Sequence, residues 1–454
     1  MEIRAAVCQN ECVLDLAVIF QLNGRIQLNE MNEARTIHRE VLPNGLVIVT
    51  EPMPHVRSVS VGIWLRSGSR SEAAARNGIA HFTEHMVFKG TERRTAEEIA
   101  RSVDSIGGMM DAFTAKEMVS FNAKVLDEHL PVAWEVLSDL ALHPLFDAEE
   151  IVREKQVVLE EIKMDQDNPE SVAHEMLVQN FWSGHPLGRP ILGTPETVGD
   201  FSREAVVESH RESYVPGNLL VTAAGHLEHA KVVDLVVGAF GDLPAGEFSA
   251  TETVPETHAS VAQQSKSELE QVHICVGVPS VRLADERRFT VAILNTILGG
   301  GMSSRLFQNI REKQGLAYAV FSEVNPYSDT GIFSVYAGTS IENAEKVLGL
   351  ISAEFRSLKN ELVTVEELRR AKDHLKGSLV LSLESTGARM SNLARQEMYF
   401  GRFFSTDEIL ASVEAVTRED VQAIAISSFR ADQTSATVVG SLNGFTLRRE
   451  HLDC

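Results

Sequence analysis

The sequence predicts an α+β protein built from two homologous domains. Segments with strand periodicity and segments with helical periodicity follow the same order in each half of the chain, and one helical segment recurs. "DAEEIVREKQVVLEEI" begins at Asp147, and "TVEELRRAKDHLKGSL" begins at Thr364, 217 residues later (364 − 147). At this offset Glu149 corresponds to Glu366, which supports duplication of one design.

The first half opens with strand signals. "EVLPNGLVIVTE" predicts a hairpin that turns at Asn44-Gly45, and "SVSVGIWLRSGS" alternates like a half-buried strand. Two helices are then predicted at residues 76–88 and about 95–106, followed by two strands in "GGMMDAFTAKEMVSFNAKVL". Helices dominate residues 127–182, and a strand in "NLLVTAAG" and a helix in "EHAKVVDLVVGAF" close this half.

The second half repeats this order. A strand is predicted in "EQVHICVGVPS", a helix at residues 285–298 and a hairpin in "AYAVFSEVNPYSDTGIFSVYAGT". Long helices at about 341–400 and a last strand in "SATVVG" follow.

Composition divides the chain further. We expect residues 1–36 to be a tail that is disordered or an upstream mis-start, because Met31 opens a stretch that reads like a natural beginning. A first domain is predicted at 37–243, a polar linker rich in Ser, Thr and Ala at 244–266, and a second domain at 267–447.

Overall charge and cysteine content limit the classes of function that are possible. The chain has 454 residues and a net charge of −22, which argues against binding nucleic acid and agrees with solubility or with basic substrates. No apolar run approaches the ~20 residues that span a bilayer, so no membrane association is expected. Four scattered cysteines do not resemble a disulfide framework, so a cytoplasmic location is predicted.

One short motif indicates chemistry. In "GIAHFTEHMVFKG", residues 78–90, a helix turning about 100° per residue places His81, Glu84 and His85 on an arc of about 100°. Two imidazoles can then hold one metal ion beside a carboxylate. The alternative is an ordinary solvated helix face, since a five-residue motif with three fixed positions also occurs by chance.

A third metal ligand has to come from elsewhere in the chain, since catalytic zinc takes three protein ligands and leaves one position for water. Glu154 and Glu161 are two helical turns apart and share a face, whereas Glu160 points about 100° away from Glu161. We therefore predict Glu161 as the ligand and Glu154 as the acceptor that orients a ligating histidine. Glu84 is then available to take a proton from metal-bound water.

The duplication informs this site as well. At the 217-residue offset, Glu154 corresponds to Ala371 and Glu161 to Ser378. The carboxylate pair is therefore present in the first half only, which favours a task held by that half.

At this point the sequence resembles the M16 family of peptidases, which carry an inverted zinc motif. The resemblance rests on "HFTEHMVFKGT", on the spacing from His85 to Glu161, and on "HPLGRPILGTPE", "YVPGNLLVTAAG" and "GGGMSSRLFQNIREKQGLAYAV". It spans residues of about 38–440 and is nearest to the shorter, processing-peptidase-like branch. It implies that each domain is an α/β sandwich, a mixed and largely antiparallel sheet packed with helices.

The resemblance also implies roles for single residues. It makes His81, His85 and Glu161 the ligands of one Zn²⁺ per chain, Glu84 the catalytic base and Glu154 the residue that supports a ligand.

The roles of five further residues follow only from the resemblance to the family. Arg311 and Tyr318 match a pair that contacts substrate carbonyls and stabilises the oxyanion; from the residues alone, a surface charge and a core strand residue are the simpler interpretation. Asp111, Ala112 and Phe113 match a strand whose edge pairs with extended substrate, although many relatives have Asn at the position of Asp111.

The expected function is a zinc endopeptidase that acts on extended peptides. The resemblance implies a homodimer in which the Arg/Tyr pair serves the partner's zinc site, with a heterodimer with a related subunit as the alternative. A non-catalytic structural or regulatory subunit of the same fold is the competing function, and a metal-storage or peptide-binding module is the third. Glu84 favours the enzyme, because a binding module needs no carboxylate beside the open metal position.

Overall fold

A computed structural model describes residues 36–249 and 253–454. Residues 1–35, nearly all of the expected tail, and residues 250–252 of the expected linker lie outside this description.

The first half forms a six-stranded sheet. Its strands are β1 His38–Val41, β2 Val47–Pro52, β3 Ser58–Leu65, β4 Met109–Thr114, β5 Val119–Leu126 and β6 Leu219–Gly225. They lie in the order β1-β2-β6-β3-β5-β4, and every neighbouring pair is antiparallel except β2 and β6. The predicted hairpin joins β1 to β2, and its turn requires Gly45 at a φ of 96°, where residues with a Cβ are strained.

The second half forms a five-stranded sheet of the same design. Its strands are β7 Val261–Ser265, β8 Val272–Pro279, β9 Ala317–Pro326, β10 Gly331–Thr339 and β11 Ser435–Gly440. They lie in the order β7-β11-β8-β10-β9, with β7 and β11 parallel and the other pairs antiparallel. This order matches β2-β6-β3-β5-β4 of the first sheet. The predicted α+β class and the mixed, largely antiparallel sheets are therefore confirmed.

Helices cover both sheets. Those of the first half are α1 Ile79–Val87, α2 Ala96–Asp104, α3 Leu130–Leu142, α4 Ala148–Asp167, α5 Pro169–Phe181, α6 Pro195–Asp200, α7 Arg203–Ser213 and α8 His229–Phe240. Those of the second half are α9 Arg288–Leu298, α10 Ala344–Asn360, α11 Val365–Ser382, α12 Thr386–Phe400, α13 Thr406–Ala415 and α14 Arg418–Ser428. In the described part of the chain, none of these helices combines the length and the apolar character needed to cross a membrane.

The two halves exchange one helix each. Helix α5 of the first half packs on β8 and β11 of the second sheet, where Leu177 and Phe181 are fully buried. Helix α12 of the second half packs on β3 and β6 of the first sheet, where Met390 and Leu393 are buried beside Trp64. The starts of α5 and α12 differ by 217 residues (386 − 169), the offset of the sequence repeat. The duplication therefore extends to a reciprocal packing that joins the halves.

The structure differs from the sequence expectations at two boundaries. Residues 261–265, assigned to the linker at 244–266, form β7 beside β11 and belong to the second sheet. At the other end, Leu452 is buried in the second core, beyond the expected limit at 447. The division into domains at 37–243 and 267–447 stays a prediction.

Candidate metal centre

Helix α1 carries the three polar residues of the motif. It begins after Gly78, which has a φ of 93° and lies so close to Leu192 that an added Cβ would be 2.6 Å from that residue's carbonyl oxygen. The Glu72 carboxylate accepts hydrogen bonds from the backbone amides of Gly78 and Ala80, both at 2.8 Å, and so fixes the start of the helix. The apolar side of α1, including Phe82, is fully buried in the first core.

Two histidines of α1 meet a glutamate of α4. Nε2 of His81 lies 3.8 Å from Oε2 of Glu161, and Nε2 of His85 lies 3.5 Å from the same oxygen. The three potential ligand atoms lie within 4.8 Å of one another. Among the residues at 36–249 and 253–454, they form the one group of three or more His, Cys, Asp or Glu side chains suited to hold a metal ion.

The geometry of this group fits a shared cation. Both histidine–glutamate distances exceed hydrogen-bonding range, yet they approach the separation of about 3.3 Å between ligands on a tetrahedral zinc with bonds of 2.0–2.1 Å. Burial, together with the neighbouring His85, lowers the pKa of His81 to about 3, so its imidazole is neutral as a metal ligand must be. Among the described residues, Nδ1 of His81 is buried without a hydrogen-bond partner, and Nε2 is the ring nitrogen that faces Glu161.

Glu154 orients the second histidine. Its Oε1 lies 2.8 Å from Nδ1 of His85, and its Oε2 lies 2.7 Å from Nζ of Lys89. Burial raises the pKa of Glu154, but the hydrogen bonds from His85 and Lys89 outweigh it and leave the pKa below its usual value. For His85 burial lowers the pKa, whereas the bond to Glu154 and the charge of Glu161 raise it further than burial lowers it. The hydrogen bond between Glu154 and Nδ1 of His85 thus directs Nε2 of His85 toward Glu161.

Glu84 lies beside the ligand group with only 9% of its surface exposed. Burial raises the pKa of its carboxyl to about 7, against the opposing effects of a hydrogen bond from Thr114 and of His85, and the charge of Asp111 adds to the rise. A carboxyl with a pKa near neutrality suits a general base.

Asp111, Ala112 and Phe113 lie on β4, the strand at one edge of the first sheet. Ala112 packs on the first core, Phe113 makes a T-shaped ring contact with Trp64 on the opposite face of the sheet, and Asp111 is exposed. The strand therefore offers a backbone edge next to the helix that carries Glu84.

Arg311 and Tyr318 form a pair in the second half. The Arg311 guanidinium lies 5.0 Å from the centre of the Tyr318 ring and 4.8 Å from that of Phe307. Tyr318 is 76% exposed on β9, so the simpler interpretation of a core residue is wrong for it. Arg311 contacts Phe307, Tyr318 and Glu312, all in the second half, so within the described part of this chain the pair does not join the histidine cluster.

Sequence reasoning missed three residues that support the site: Glu72, Lys89 and Thr114. Lys89 had a detectable signal, because it follows His85 by four residues, the spacing at which side chains meet on a helix, although α1 itself ends at Val87. Glu72 and Thr114 act from a loop and a strand, and their contacts with α1 follow from tertiary packing.

Fold and site together define a duplicated α+β protein with a histidine–carboxylate centre on its first half. Family models match two consecutive parts of the chain: "Insulinase (Peptidase family M16)" matches residues 47–195, and "Peptidase M16 inactive domain" matches residues 200–375. The chain belongs to peptidase family M16, as the sequence resemblance predicted.

Similar proteins agree with this membership. The chain is 40% identical over 407 residues to "Uncharacterized zinc protease YmxG" of Bacillus subtilis, covering 90% of this chain and 99% of that protein. An uncharacterized zinc protease of Streptomyces coelicolor is 40% identical over 423 residues, covering 92% of each chain.

Solved structures show the same fold. A protease from Helicobacter pylori superimposes with a TM-score of 0.83 at 23% identity, over 89% of this chain and 99% of that one. A structure from Pseudomonas fluorescens, titled as a peptidase M16 inactive domain, has a TM-score of 0.83 at 22% identity, over 89% of this chain and 98% of that one.

Proposed function

We propose that this chain is a zinc-dependent endopeptidase that hydrolyses peptides or unfolded segments, with one zinc ion per chain. The observation that carries the proposal is the convergence of His81, His85 and Glu161, with Glu84 on the same short helix. The names of the relatives, which call them zinc proteases, support zinc as the metal.

The proposed ligands are Nε2 of His81, Nε2 of His85 and a carboxylate oxygen of Glu161. When bound there, zinc supplies a positive charge that acidifies water and polarises a peptide carbonyl. Glu154 keeps His85 in the orientation that binding requires, and Lys89 balances the charge of Glu154.

Glu84 is the proposed general base. It takes a proton from the attacking water and passes that proton to the leaving amine. Its burial supports this role, because a carboxyl shielded from solvent exchanges its proton with groups held in the site.

The substrate is proposed to bind as an added strand. The outer edge of β4, at Asp111, Ala112 and Phe113, has backbone groups that can pair with an extended peptide. Such pairing places the peptide backbone beside α1, which contacts β4 directly.

We further propose that the chain acts as a homodimer in which Arg311 and Tyr318 contact substrate carbonyls at the partner's zinc site. The exposure of Tyr318 supports this role, because Tyr318 lies 76% exposed on the edge strand β9, and Arg311, which is partly exposed on the segment before it, lies over its ring. A cytoplasmic location is proposed as well, since Cys275 and Cys454 are both free thiols.

The test is Glu84→Gln. We expect this variant to retain zinc by elemental analysis and to lose about 100- to 10,000-fold in the kcat for cleavage of an unfolded peptide. Glu160→Gln is the matched control, because Glu160 is an exposed glutamate on α4 that pairs with Lys163. Its activity should equal that of the wild type.

A chelator should abolish cleavage by the wild type, and added zinc should restore it. Unchanged turnover in Glu84→Gln would refute the role of Glu84. Wild-type protein that holds zinc and cleaves no peptide would instead support the non-catalytic subunit.

A further inference from the structure

A strand residue contacts the proposed base directly. Thr114, the last residue of β4, donates its hydroxyl proton to Oε2 of Glu84 at 2.5 Å. Both side chains are buried, with 1% of Thr114 and 9% of Glu84 exposed. A hydrogen bond to a buried carboxylate is short and strong, because water does not compete for the acceptor.

We propose that Thr114 is a positioning residue, which holds one oxygen of the Glu84 carboxylate so that the other faces the reacting water. This inference rests on the proposed peptidase function. The terminal torsion of a glutamate is broad, so without a partner the carboxylate samples many orientations. Because proton transfer requires close alignment, fixing this torsion raises the rate of the chemical step rather than the affinity for substrate.

The position of Thr114 is itself held by a tight turn. The next residue, Ala115, donates its backbone N–H to Met118 and accepts one from Ser69 at 3.0 Å. Gly68 lies so close that an added Cβ would be 2.2 Å from the carbonyl oxygen of Ala115. The hydroxyl therefore projects from a backbone with little freedom to move.

Residues of the second half of the chain contact the same turn. Glu117 accepts hydrogen bonds from the backbone N–H and the hydroxyl of Ser328, which lies in the turn between β9 and β10. Arg70 donates to both Glu117 and Asp329 and is almost completely buried. The turn that follows Thr114, the residue that contacts Glu84, is therefore held by contacts from both halves of the chain.

The kinetic test compares Thr114→Val with Thr114→Ser. Valine keeps the shape of threonine and removes the hydroxyl, whereas serine keeps the hydroxyl. We expect Thr114→Val to lower kcat about 10- to 100-fold with KM within about 2-fold and zinc content unchanged, and Thr114→Ser to recover most of the loss. Equal kcat in Thr114→Val and wild type, or equal loss in both variants, would overturn the proposal.

A matched control separates this role from general stability. Thr50 is a fully buried threonine of the same sheet whose hydroxyl bonds Nδ1 of His229 at 2.9 Å, on a strand far from β4 in the sheet order. Thr50→Val should lower the Tm and leave kcat unchanged. If Thr50→Val lowered kcat as much as Thr114→Val does, the effect of Thr114 would be explained by stability alone, and the proposal would be overturned.

A second measurement uses zinc-free protein and does not depend on catalysis. In a double-mutant cycle of Tm, Thr114→Val should lower the Tm in the wild-type background and have a smaller effect when Glu84→Ala is already present. Additive shifts would overturn the contact. If this coupling is found but the wild type cleaves no peptide, the proposed function fails while the Thr114–Glu84 contact stands.

Discussion

Arg70 offers a sharp test of how the two halves are joined. Arg70 is 2% exposed, and its guanidinium lies 2.6 Å from Glu117 and 2.5 Å from Asp329, on opposite sides of the junction. It also donates to the hydroxyl of Ser328 and to the carbonyl of Thr253. Arg70→Met keeps much of the side-chain volume and removes every one of these contacts.

The expected loss follows from what the change leaves behind. Removing one member of a buried ion pair costs about 3–5 kcal/mol, since the remaining charge has no partner. The side chain of Glu117 is 8% exposed and loses its opposite charge while keeping the hydrogen bonds from Ser328, whereas that of Asp329 is 25% exposed and regains some water. We therefore expect Arg70→Met to lower the free energy of unfolding by about 3 kcal/mol.

Urea unfolding followed by tryptophan fluorescence measures this change, because Trp64 is buried at the first sheet and Trp182 at the second. Arg57→Met is the matched control, since Arg57 pairs with Asp127 at the surface and is 74% exposed. We expect no measurable shift of its unfolding midpoint. If Arg70→Met were no less stable than Arg57→Met, the junction would not hold the halves together as described.

Two further predictions concern the metal and the subunits. Glu154→Gln should weaken zinc binding about 10- to 100-fold in a chelator competition, because it loosens His85; affinity equal to the wild type would contradict its orienting role. Mixing inactive Glu84→Gln chains with Tyr318→Phe chains should restore about a quarter of wild-type activity, because half of the dimers are mixed and each mixed dimer has one complete site. No recovery on mixing would place both functions within one chain.

The sequence predicted which candidate residues of the site share a helix face. Helical geometry placed His81 and His85 on one side of α1, and the two-turn spacing from Glu154 selected Glu161 rather than Glu160. In the structure Glu161 lies beside both imidazoles, while Glu160 pairs with Lys163 at the surface. Periodicity determines which residues share a helix face, so these choices needed no tertiary information.

The features that the sequence did not predict depend on contacts between segments far apart in the chain. The polar segment at 261–265 has a weak strand signal, and it becomes β7 because β11, far along the chain, offers a parallel partner. An apolar face on α5 or α12 indicates burial but not which sheet covers it, so the exchange of helices between halves was not predicted. For the same reason the contact of Thr114 with Glu84 depends on the position of β4 beside α1.

We propose that one cation binds between α1 and α4. Anomalous diffraction at the zinc absorption edge, from crystals of zinc-loaded protein, measures this directly. We expect the strongest peak about 2.0–2.2 Å from Nε2 of His81, Nε2 of His85 and a carboxylate oxygen of Glu161. A peak bound by other residues, or none at this position in protein that contains zinc, would contradict the account.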